Sequence, residues 1–392
     1  MKRPLFIIIG AIIVLILLGV WVYIILFSNP NNTDDTYTTI DLGDTTSNSY
    51  EPIQNDEQPV VDIEGPERLR QLTTTPVVGY QEVKKNASSS PSVYYVAAGT
   101  GYIFALNLET GEEKRISATT IPSSFKAAIT PNGLYVLVQS GSGIGADFVI
   151  GTLSSSTDQL ETKAITEPII DFSVTTNNTF LYAVKTNATV LAKEYDPVSD
   201  TAKTLFTVPF REAVIDWGST ADETHYVYPK ATNQFEGYVY ATKNGVLHRL
   251  PAAGYGISAT GNSAGVLYSK QEKGSYNTYL YNEETGETNN IFLSTIPEKC
   301  SPLYTTTALI CGSSSDVNSN QMPDLWYKGE ATFSDNLWSF DLENAVFTQL
   351  VDISSETGRN IEVSKIVPNL DDTHIYFTNT ATGNLWMFSN EQ

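Results

Sequence analysis

A short pattern recurs along this chain: a polar turn is followed at once by an apolar run rich in β-branched and aromatic residues. The clearest copy begins at Thr130 with Thr-Pro-Asn-Gly and continues as Leu-Tyr-Val-Leu-Val. Further copies begin at Thr175, Thr220, Thr260 and Leu370, and the first four start about 40–45 residues apart. This spacing in turn-rich β sequence is typical of a β-propeller, in which each repeat forms one blade.

Each repeat predicts one blade of four strands, a to d, joined as an up-and-down meander. Gly111 supplies the positive φ that the predicted turn between strands c and d of the first blade needs. The sixth blade is longer than the others because of an insertion. The predicted blades cover residues 77–117, 125–165, 169–209, 212–251, 254–294, 299–353 and from 363 onward.

The seventh predicted blade lacks a fourth strand of its own. Its phrase Asn384-Leu385-Trp386 repeats Asn336-Leu337-Trp338 of the sixth blade, so both predict strand c. Residues 67–74, which precede the first blade, are expected to supply the missing strand and to cover an edge that would otherwise invite aggregation. The prediction is an all-β, seven-bladed propeller over residues 66–392, with six or eight blades as alternatives because the sixth is irregular.

The turn at Ile129-Thr130-Pro131-Asn132-Gly133-Leu134-Tyr135 resembles the Ser-Pro-Asp-Gly turn of the TolB-like, WD-like β-propeller repeats, and residues 217–222 are a weaker copy. The resemblance covers residues 67–392 and is one of repeat type. It implies the propeller fold and a binding role. The WD dipeptide itself is not kept at blade ends, so the resemblance implies no WD-repeat partner.

The start of the chain predicts a membrane anchor. A Lys-Arg pair is followed by an uncharged apolar run from Leu5 to Phe27, which as a helix would span about 34 Å, enough for a bilayer core of about 30 Å. A cleaved signal peptide is the alternative, but its apolar core is shorter and ends in a small-residue cleavage site. No basic residue follows until Arg68, so residues 1–4 are expected in the cytoplasm and the C-terminal domain outside the cell membrane.

Residues 28–65 predict an acidic flexible linker. They contain nine acidic residues and no basic one, with Thr, Asn and Ser filling most of the rest. Such a segment cannot bury enough apolar surface to order itself. The whole chain has 44 acidic and 23 basic residues, a formal charge of −21, which argues against nucleic acid as a partner and against binding to anionic lipid.

Three features that could suggest catalysis have simpler explanations. Residues 261–265 match Gly-x-Ser-x-Gly, but a strand is predicted after them where a nucleophile elbow needs a helix. The glycine-rich residues 141–146 also lead into a strand, which indicates a hairpin loop. His225 and His374 occupy equivalent positions of two repeats, which favours a structural role. We expect no catalytic residues and no zinc or iron site.

One run in the predicted insertion has the spacing of a calcium site. Asp316, Asn318, Asn320 and Asp324 place oxygen side chains at positions 1, 3, 5 and 9, which a tight turn can bring to one hard cation. The run resembles the calcium loops of thrombospondin type 3 and dockerin-like repeats. It departs from the EF-hand pattern, with Gln at position 6 and Tyr at position 12. Calcium is the one cofactor that we predict, and a solvated polar turn is the alternative.

Cys300 and Cys311 are the two cysteines of the chain. They are expected on strands a and b of the sixth blade, and a turn centred on residues 305 and 306 places them directly opposite each other. Opposed residues of antiparallel strands have Cα atoms about 4.5–5.5 Å apart, within the range that a disulfide tolerates. An extracytoplasmic domain permits that bond. A pair of buried free thiols is the alternative.

These observations predict a membrane-anchored, extracytoplasmic propeller that acts as a non-catalytic binding or scaffold module for a protein or glycan partner. The anchor, the linker and the missing catalytic pattern motivate this hypothesis. The alternative is an enzyme whose active site is built from dispersed residues at the channel mouth, such as a calcium-dependent glycan lyase or hydrolase. A structural part of an envelope or secretion assembly is a third option. Clustered acids, arginine and tyrosines in the channel mouth would favour the enzyme.

Overall fold

A computed structural model describes residues 68–84, 90–143, 145–153, 159–315, 317 and 319–390. These residues form an all-β propeller with 27 β-strands and two short helices. No helix among them is both long enough and apolar enough to cross a membrane. The predicted cytoplasmic residues 1–4, membrane helix 5–27 and linker 28–65 lie outside the described residues.

The first half of the propeller consists of strand β1 and three four-stranded sheets, in which consecutive strands pair antiparallel. The strands are β1 (Leu69–Gln71); β2 (Val77–Val83), β3 (Ser92–Ala97), β4 (Ile103–Asn107) and β5 (Glu113–Ser117); β6 (Ser124–Ile129), β7 (Tyr135–Ser140), β8 (Asp147–Leu153) and β9 (Leu160–Ile165); and β10 (Ile169–Val174), β11 (Phe180–Lys185), β12 (Val190–Asp196) and β13 (Thr201–Val208).

The second half contains one seven-stranded sheet and two more four-stranded sheets. Helix α1 (Asp324–Tyr327) lies in the predicted insertion, and α2 (Ile353–Thr357) precedes the last sheet. The strands are β14 (Ala213–Asp216), β15 (Tyr226–Pro229), β16 (Glu236–Lys243), β17 (Val246–Asn262), β18 (Gly265–Glu272), β19 (Ser275–Tyr281) and β20 (Thr288–Ile291); β21 (Thr295–Pro302), β22 (Ala308–Ser313), β23 (Asn336–Asp341) and β24 (Val346–Val351); and β25 (Val363–Pro368), β26 (His374–Asn379) and β27 (Leu385–Ser389).

The blade count is a correction to the sequence analysis. The described residues form five four-stranded blades and one seven-stranded sheet, where seven separate blades of four strands were predicted. The seven-stranded sheet covers the residues assigned to the fourth and fifth blades. The two are continuous because β17 has 17 residues and pairs with β16 over its first part and with β18 over its second. The sequence predicted a boundary between two blades at Pro251 to Gly254, but strand β17 continues through these residues.

The cores lie between neighbouring sheets, so the inner strands are covered on both faces. Strands β11 and β22 are buried along almost their whole length, which is why their sequences are nearly continuous apolar runs. The outermost strand β9 is mostly exposed and carries charged residues. Phe148 of one sheet meets Phe172 of the next edge to face, with ring centroids 6.2 Å apart. Packing between sheets, rather than within one, therefore holds the ring together.

The ring closes through β1, as the sequence predicted. Strand β1 pairs antiparallel with β27, in the strand order β1-β27-β26-β25. Leu69 lies opposite Phe388, and Gln71 lies opposite Trp386. Leu69 is fully buried in the core of the last sheet. Burial of such a leucine contributes about 1.5–3 kcal/mol, so the N-terminal strand is an integral part of this blade.

A polar cluster reinforces the contact between the first and last blades. Glu82 of β2 accepts hydrogen bonds from Tyr376, at 2.6 Å, from His374 Nδ1, at 2.7 Å, and from Asn369, at 3.1 Å. Lys84 lies 3.5 Å from the same carboxylate. Burial alone would raise the pKa of Glu82, but the hydrogen bonds from its partners on the last blade outweigh it and lower that pKa below its ordinary value.

The predicted disulfide is confirmed. Cys300 of β21 and Cys311 of β22 are bonded to each other, and they are directly opposed in the register of the two strands. The bond joins the two innermost strands of the blade that carries the insertion.

We predict that Glu82→Gln destabilises the ring most at neutral pH. The variant keeps the shape of the side chain but replaces a buried charged acceptor, which should lower the free energy of unfolding by about 2–3 kcal/mol. Because the folded-state pKa of Glu82 is depressed, its stabilising effect is complete above about pH 4.5 and is lost as the pH falls through the lowered pKa.

Urea unfolding of both proteins from pH 7 down to pH 3 measures this difference. The gap between wild type and Glu82→Gln should shrink as the pH falls. A gap that stays constant over this range would contradict the assignment of the ionised Glu82 as the stabilising group. Glu112→Gln, at a surface turn of the first blade, is the matched control and should show no gap.

Candidate functional site

The first strands of the sheets and the second part of β17 surround the centre of the propeller. Strand β2 contacts β6, β6 contacts β10, β17 contacts β21, and β21 contacts β25. The turn that follows each of these strands lies at the same end of the ring. Five such turns enclose a cavity of about 430 Å³, which we call the turn-face mouth. One lining residue from each turn identifies it: Thr176, Glu223, Asn262, Tyr304 and Leu370.

The turn-face mouth is built from the recurring turns of the sequence. Four of its five turns are copies of the repeated polar pattern, which begin at Thr175, Thr220, Thr260 and Leu370. The sequence identified these turns as repeat markers but not as the lining of one cavity. Tyr304 was missed, because its turn does not match the repeat. A signal was present in the Thr-rich run after Tyr304, which occupies the same position in its blade.

Hydrogen bonds link the five turns of the mouth and the neighbouring turn at Asn132 into one series along the ring. Each bond runs from one turn, or the strand end beside it, to the next, so the turns hold one another in place without a ligand. In order they are Asn132 N to Asn178 Oδ1 at 2.8 Å, Thr176 N to Ser219 O at 2.9 Å, Gly261 N to Asp216 Oδ2 at 3.1 Å, Asn262 Nδ2 to Thr307 O at 2.9 Å, and Tyr304 N to Asp372 Oδ1 at 3.0 Å.

The lining of the turn-face mouth is polar but mostly uncharged. Threonine and serine hydroxyls, the Asn262 amide and main-chain groups dominate it, and Lys and Arg are absent from the described residues that line it. The Tyr304 side chain is 38% exposed and presents the aromatic face of the site, beside the exposed Leu370. Partial burial, together with the nearby charges of Asp372 and Glu223, raises the pKa of Tyr304 to about 12, so its hydroxyl is protonated at neutral pH.

The first strands also carry charged residues toward the centre of the ring. Lys126 of β6 forms an ion pair with Asp171 of β10, and Asp171 accepts a hydrogen bond from Trp217 Nε1 at 3.0 Å. A β-bulge precedes both charged residues, at Phe125 and at Ile170, where the register shifts. Bulges redirect the side chains that follow them. The bulged Phe125 and Ile170 are both exposed.

Two carboxyl groups of this central region have perturbed acidity. Burial raises the pKa of Asp216, at the end of β14, to about 7, although Gly261 N donates a hydrogen bond to it. Burial also raises the pKa of Glu298 of β21, which accepts hydrogen bonds from the hydroxyls of Tyr327 and Tyr228. Burial lowers the pKa of Lys365, and the positive charge of Lys126 adds to that effect. We call Asp216, Glu298 and Lys365 with these partners the central cluster.

The predicted calcium ligands are only partly described. Asp316 and Asn318 lie outside the described residues. Asn320 is exposed, and the Asp324 carboxylate accepts hydrogen bonds from Thr232 Oγ1, at 2.9 Å, and from Asn233 N, at 2.5 Å. Asp324 thus fastens the insertion to the seven-stranded sheet. Among the described residues, no group of three or more His, Cys, Asp or Glu side chains could hold a metal ion. Calcium stays a prediction.

The other motifs of the sequence have structural roles. Ser263 lies in the turn from β17 to β18, where a strand follows, and it lines the turn-face mouth. The described residues 141–143 and 145–146 lie between β7 and β8. His225 is buried and accepts a hydrogen bond from Gly218 N at Nδ1, at 3.0 Å, while burial lowers its pKa. His374 belongs to the polar cluster around Glu82.

Comparison with known proteins supports the fold. No family model matches the chain, and no curated protein matches it. An oligogalacturonate lyase in complex with manganese superposes with a TM-score of 0.52 and 12% identity, over 83% of this chain and 93% of the lyase. The oligogalacturonate lyase of Vibrio parahaemolyticus gives 0.52 and 12%, over 83% and 94%. The β-propeller domain of the Trilobed protease from Pyrococcus furiosus gives 0.50 and 12%, over 81% and 97%.

Proposed function

We propose that this chain is a membrane-anchored, extracytoplasmic β-propeller that binds a protein or glycan partner at the turn-face mouth without chemical conversion. The observation that carries the proposal is the series of hydrogen bonds that links the turns around the mouth. A site whose turns already hold one another in place loses little conformational entropy when a ligand binds.

The chemistry of the lining restricts the ligand. Hydroxyls, an amide and main-chain groups can donate and accept hydrogen bonds in many directions, and Tyr304 offers a flat apolar surface with a polar end. The one carboxylate of the lining, Glu223, has no lysine or arginine beside it among the described lining residues. An acidic ligand would therefore meet no compensating charge. The lining suits uncharged, hydrogen-bonding groups, such as the hydroxyls of a neutral glycan or a peptide main chain.

The N-terminal sequence is the basis for proposing a membrane anchor. The apolar run from Leu5 to Phe27 would hold the chain in the cell membrane, and the acidic linker 28–65 would keep the propeller away from the membrane surface. Mass spectrometry of protein extracted from membranes should find the peptide that contains Lys2 and Arg3. A mature N-terminus beyond Phe27 would overturn this part of the proposal.

We predict that a photo-crosslinking amino acid at position 304 captures the partner in intact cells. Tyr304 is half-exposed at the mouth, so a probe there contacts whatever occupies it. A second chain carries the probe at position 306, so that Tyr304 itself can be changed. In that chain, Tyr304→Ala should reduce the yield of captured partner at least about 10-fold, a loss of about 1.4 kcal/mol in binding free energy, because tyrosines are frequent binding hot spots.

The matched control is the probe at position 255. Tyr255 is 50% exposed and lies on β17, the strand that ends at Asn262, but it does not line the mouth. It should give no adduct of the same mass. Equal adducts at positions 304 and 255, or undiminished capture after Tyr304→Ala, would contradict binding at the turn-face mouth.

The central cluster favours a second candidate, an enzyme of the propeller type acting on a glycan. Asp216, with a pKa of about 7, could exchange a proton at neutral pH, and burial raises the pKa of Glu298 above its ordinary value. The tyrosines that donate to Glu298 add further proton-carrying groups. The likeness to oligogalacturonate lyases supports this candidate at the level of the fold.

An assay separates the two candidates. The full-length chain is incubated with oligogalacturonate and calcium at pH 7, and ultraviolet absorbance of an unsaturated product is followed. If the second candidate is right, Asp216→Asn should slow the reaction at least about 100-fold, while Asp196→Asn, at the end of β12, should not. No product from the wild-type chain would remove the lyase, and an unchanged rate in Asp216→Asn would remove the role of Asp216.

A further inference from the structure

A lysine, an aspartate and a glutamate meet in the protein interior beside the insertion of the predicted sixth blade, which carries α1. Lys299 belongs to β21, Asp335 immediately precedes β23, and Glu362 immediately precedes β25. The side chains of Lys299 and Asp335 are 0% exposed, and that of Glu362 is 4% exposed. None of the three takes part in the turn-face mouth or in the central cluster described above. Three ionisable groups buried this deeply are costly, so their arrangement calls for a chemical reason.

The lysine amine is in direct contact with the aspartate carboxyl. Lys299 Nζ forms an ion pair with Asp335 Oδ2, and Glu362 Oε1 lies 3.9 Å from Nζ on another side. Phe333 covers the amine, with its ring centroid 5.0 Å from Nζ. Within the described part of the chain, Nζ and Asp335 Oδ1 have no partner with hydrogen-bond geometry. The amine therefore contacts the carboxyl group but forms no hydrogen bond of ordinary geometry.

Backbone and side-chain donors fix the two carboxyl groups. Val363 N donates to Asp335 Oδ2 at 2.8 Å, which withdraws electron density from the carboxyl carbon. Trp326 Nε1 donates to Glu362 Oε1 at 2.7 Å, which holds this group beside the amine. Asp335 N also donates to Ile361 O at 2.9 Å, so the main chain on both sides of the contact is held. Reacting groups held in this way gain from proximity and orientation.

The surroundings favour the uncharged form of the aspartate. Burial raises the pKa of Asp335 above its ordinary value. Transfer of a proton from the ammonium to the carboxylate converts two buried charges into a neutral amine and a neutral acid, and a low-dielectric interior lowers the cost of that transfer. A neutral amine is a nucleophile, and a protonated carboxyl group can lose its hydroxyl as water. Phe333, which covers the amine, packs with Ile296 and Val317 in one buried apolar cluster.

We propose that Lys299 and Asp335 condense to form an intramolecular amide cross-link. The lone pair of the neutral Nζ attacks Cγ of Asp335, and an N–C bond forms. Glu362 accepts a proton from the nitrogen and returns it to the departing oxygen, the C–OH bond breaks, and one water molecule leaves. No oxidant, reductant or activating group is needed. The product is a neutral amide in place of two buried charges.

The cross-link would fasten the end of the insertion to the innermost strand of its blade. Lys299 is adjacent in sequence to Cys300, whose disulfide joins β21 to β22. The amide would join the same strand β21 to the segment that enters β23. The two covalent links together would tie three of the four strands of this blade, beneath the insertion that carries α1.

Intact-mass spectrometry of the full-length chain tests the proposal. The wild-type chain should be lighter than its sequence mass by one water molecule, in addition to the two hydrogens that the disulfide removes. A chain lighter only by the two hydrogens would overturn the proposal and leave an ordinary buried ion pair.

Two conservative variants make the test specific. Asp335→Asn should lose ammonia instead of water and reach the same final mass as the wild-type chain, whereas the two unreacted chains differ in mass. Glu362→Gln keeps the acceptor for Trp326 but cannot shuttle the proton, so it should be lighter than its sequence mass only by the two hydrogens of the disulfide. Loss of water from Glu362→Gln as complete as in the wild type would overturn the assignment of Glu362. Lys126→Arg, at the ion pair with Asp171, is the control and should leave the mass deficit unchanged.

Tryptic mapping locates the bond. Trypsin should not cleave after Lys299 when its amine is blocked, so residues 274–328 should remain one peptide, joined to residues 329–359. Recovery of separate, unlinked peptides 274–299 and 329–359 from the reduced wild-type protein would contradict the cross-link.

Discussion

The pairing of β1 with β27 is the contact on which the ring depends. A propeller has no single core, since each sheet packs only against its two neighbours, and the ring is stable only if the first and last sheets also meet. Three residues of the N-terminal strand supply this connection, and the fully buried Leu69 anchors it in the last blade. The Glu82 cluster then joins that blade to the next one.

Ring closure also determines the geometry of the turn-face mouth. The turns that line the mouth are joined through hydrogen bonds such as those from Thr176 to Ser219 and from Tyr304 to Asp372. Each turn therefore takes its position from the next, and the series runs through the blade that β1 completes. A binding site made in this way is rigid because the whole ring is closed, although none of its lining residues belongs to β1.

The repeat of turns and apolar runs predicted the strands and the closure well, because both depend on local patterning. The pairing of Cys300 with Cys311 was also predictable, because the predicted turn centred on residues 305 and 306 places the two cysteines opposite each other. The sequence could not show that β17 continues from one predicted blade into the next, since that depends on pairing with two partners. Nor could it show the contact of Lys299 with Asp335 and Glu362, because these residues are far apart in sequence and no local pattern marks them.

Hydrogen–deuterium exchange of a Leu69→Ala variant tests most directly whether closure holds the mouth. Removing this buried side chain should cost about 2–5 kcal/mol, and exchange reports local opening segment by segment. If closure holds the mouth, exchange should rise at Thr176 and Gly261, on sheets that do not pair with β1, as well as in β25 to β27. An increase confined to the last blade and its immediate neighbour, with the mouth turns unchanged, would contradict the account.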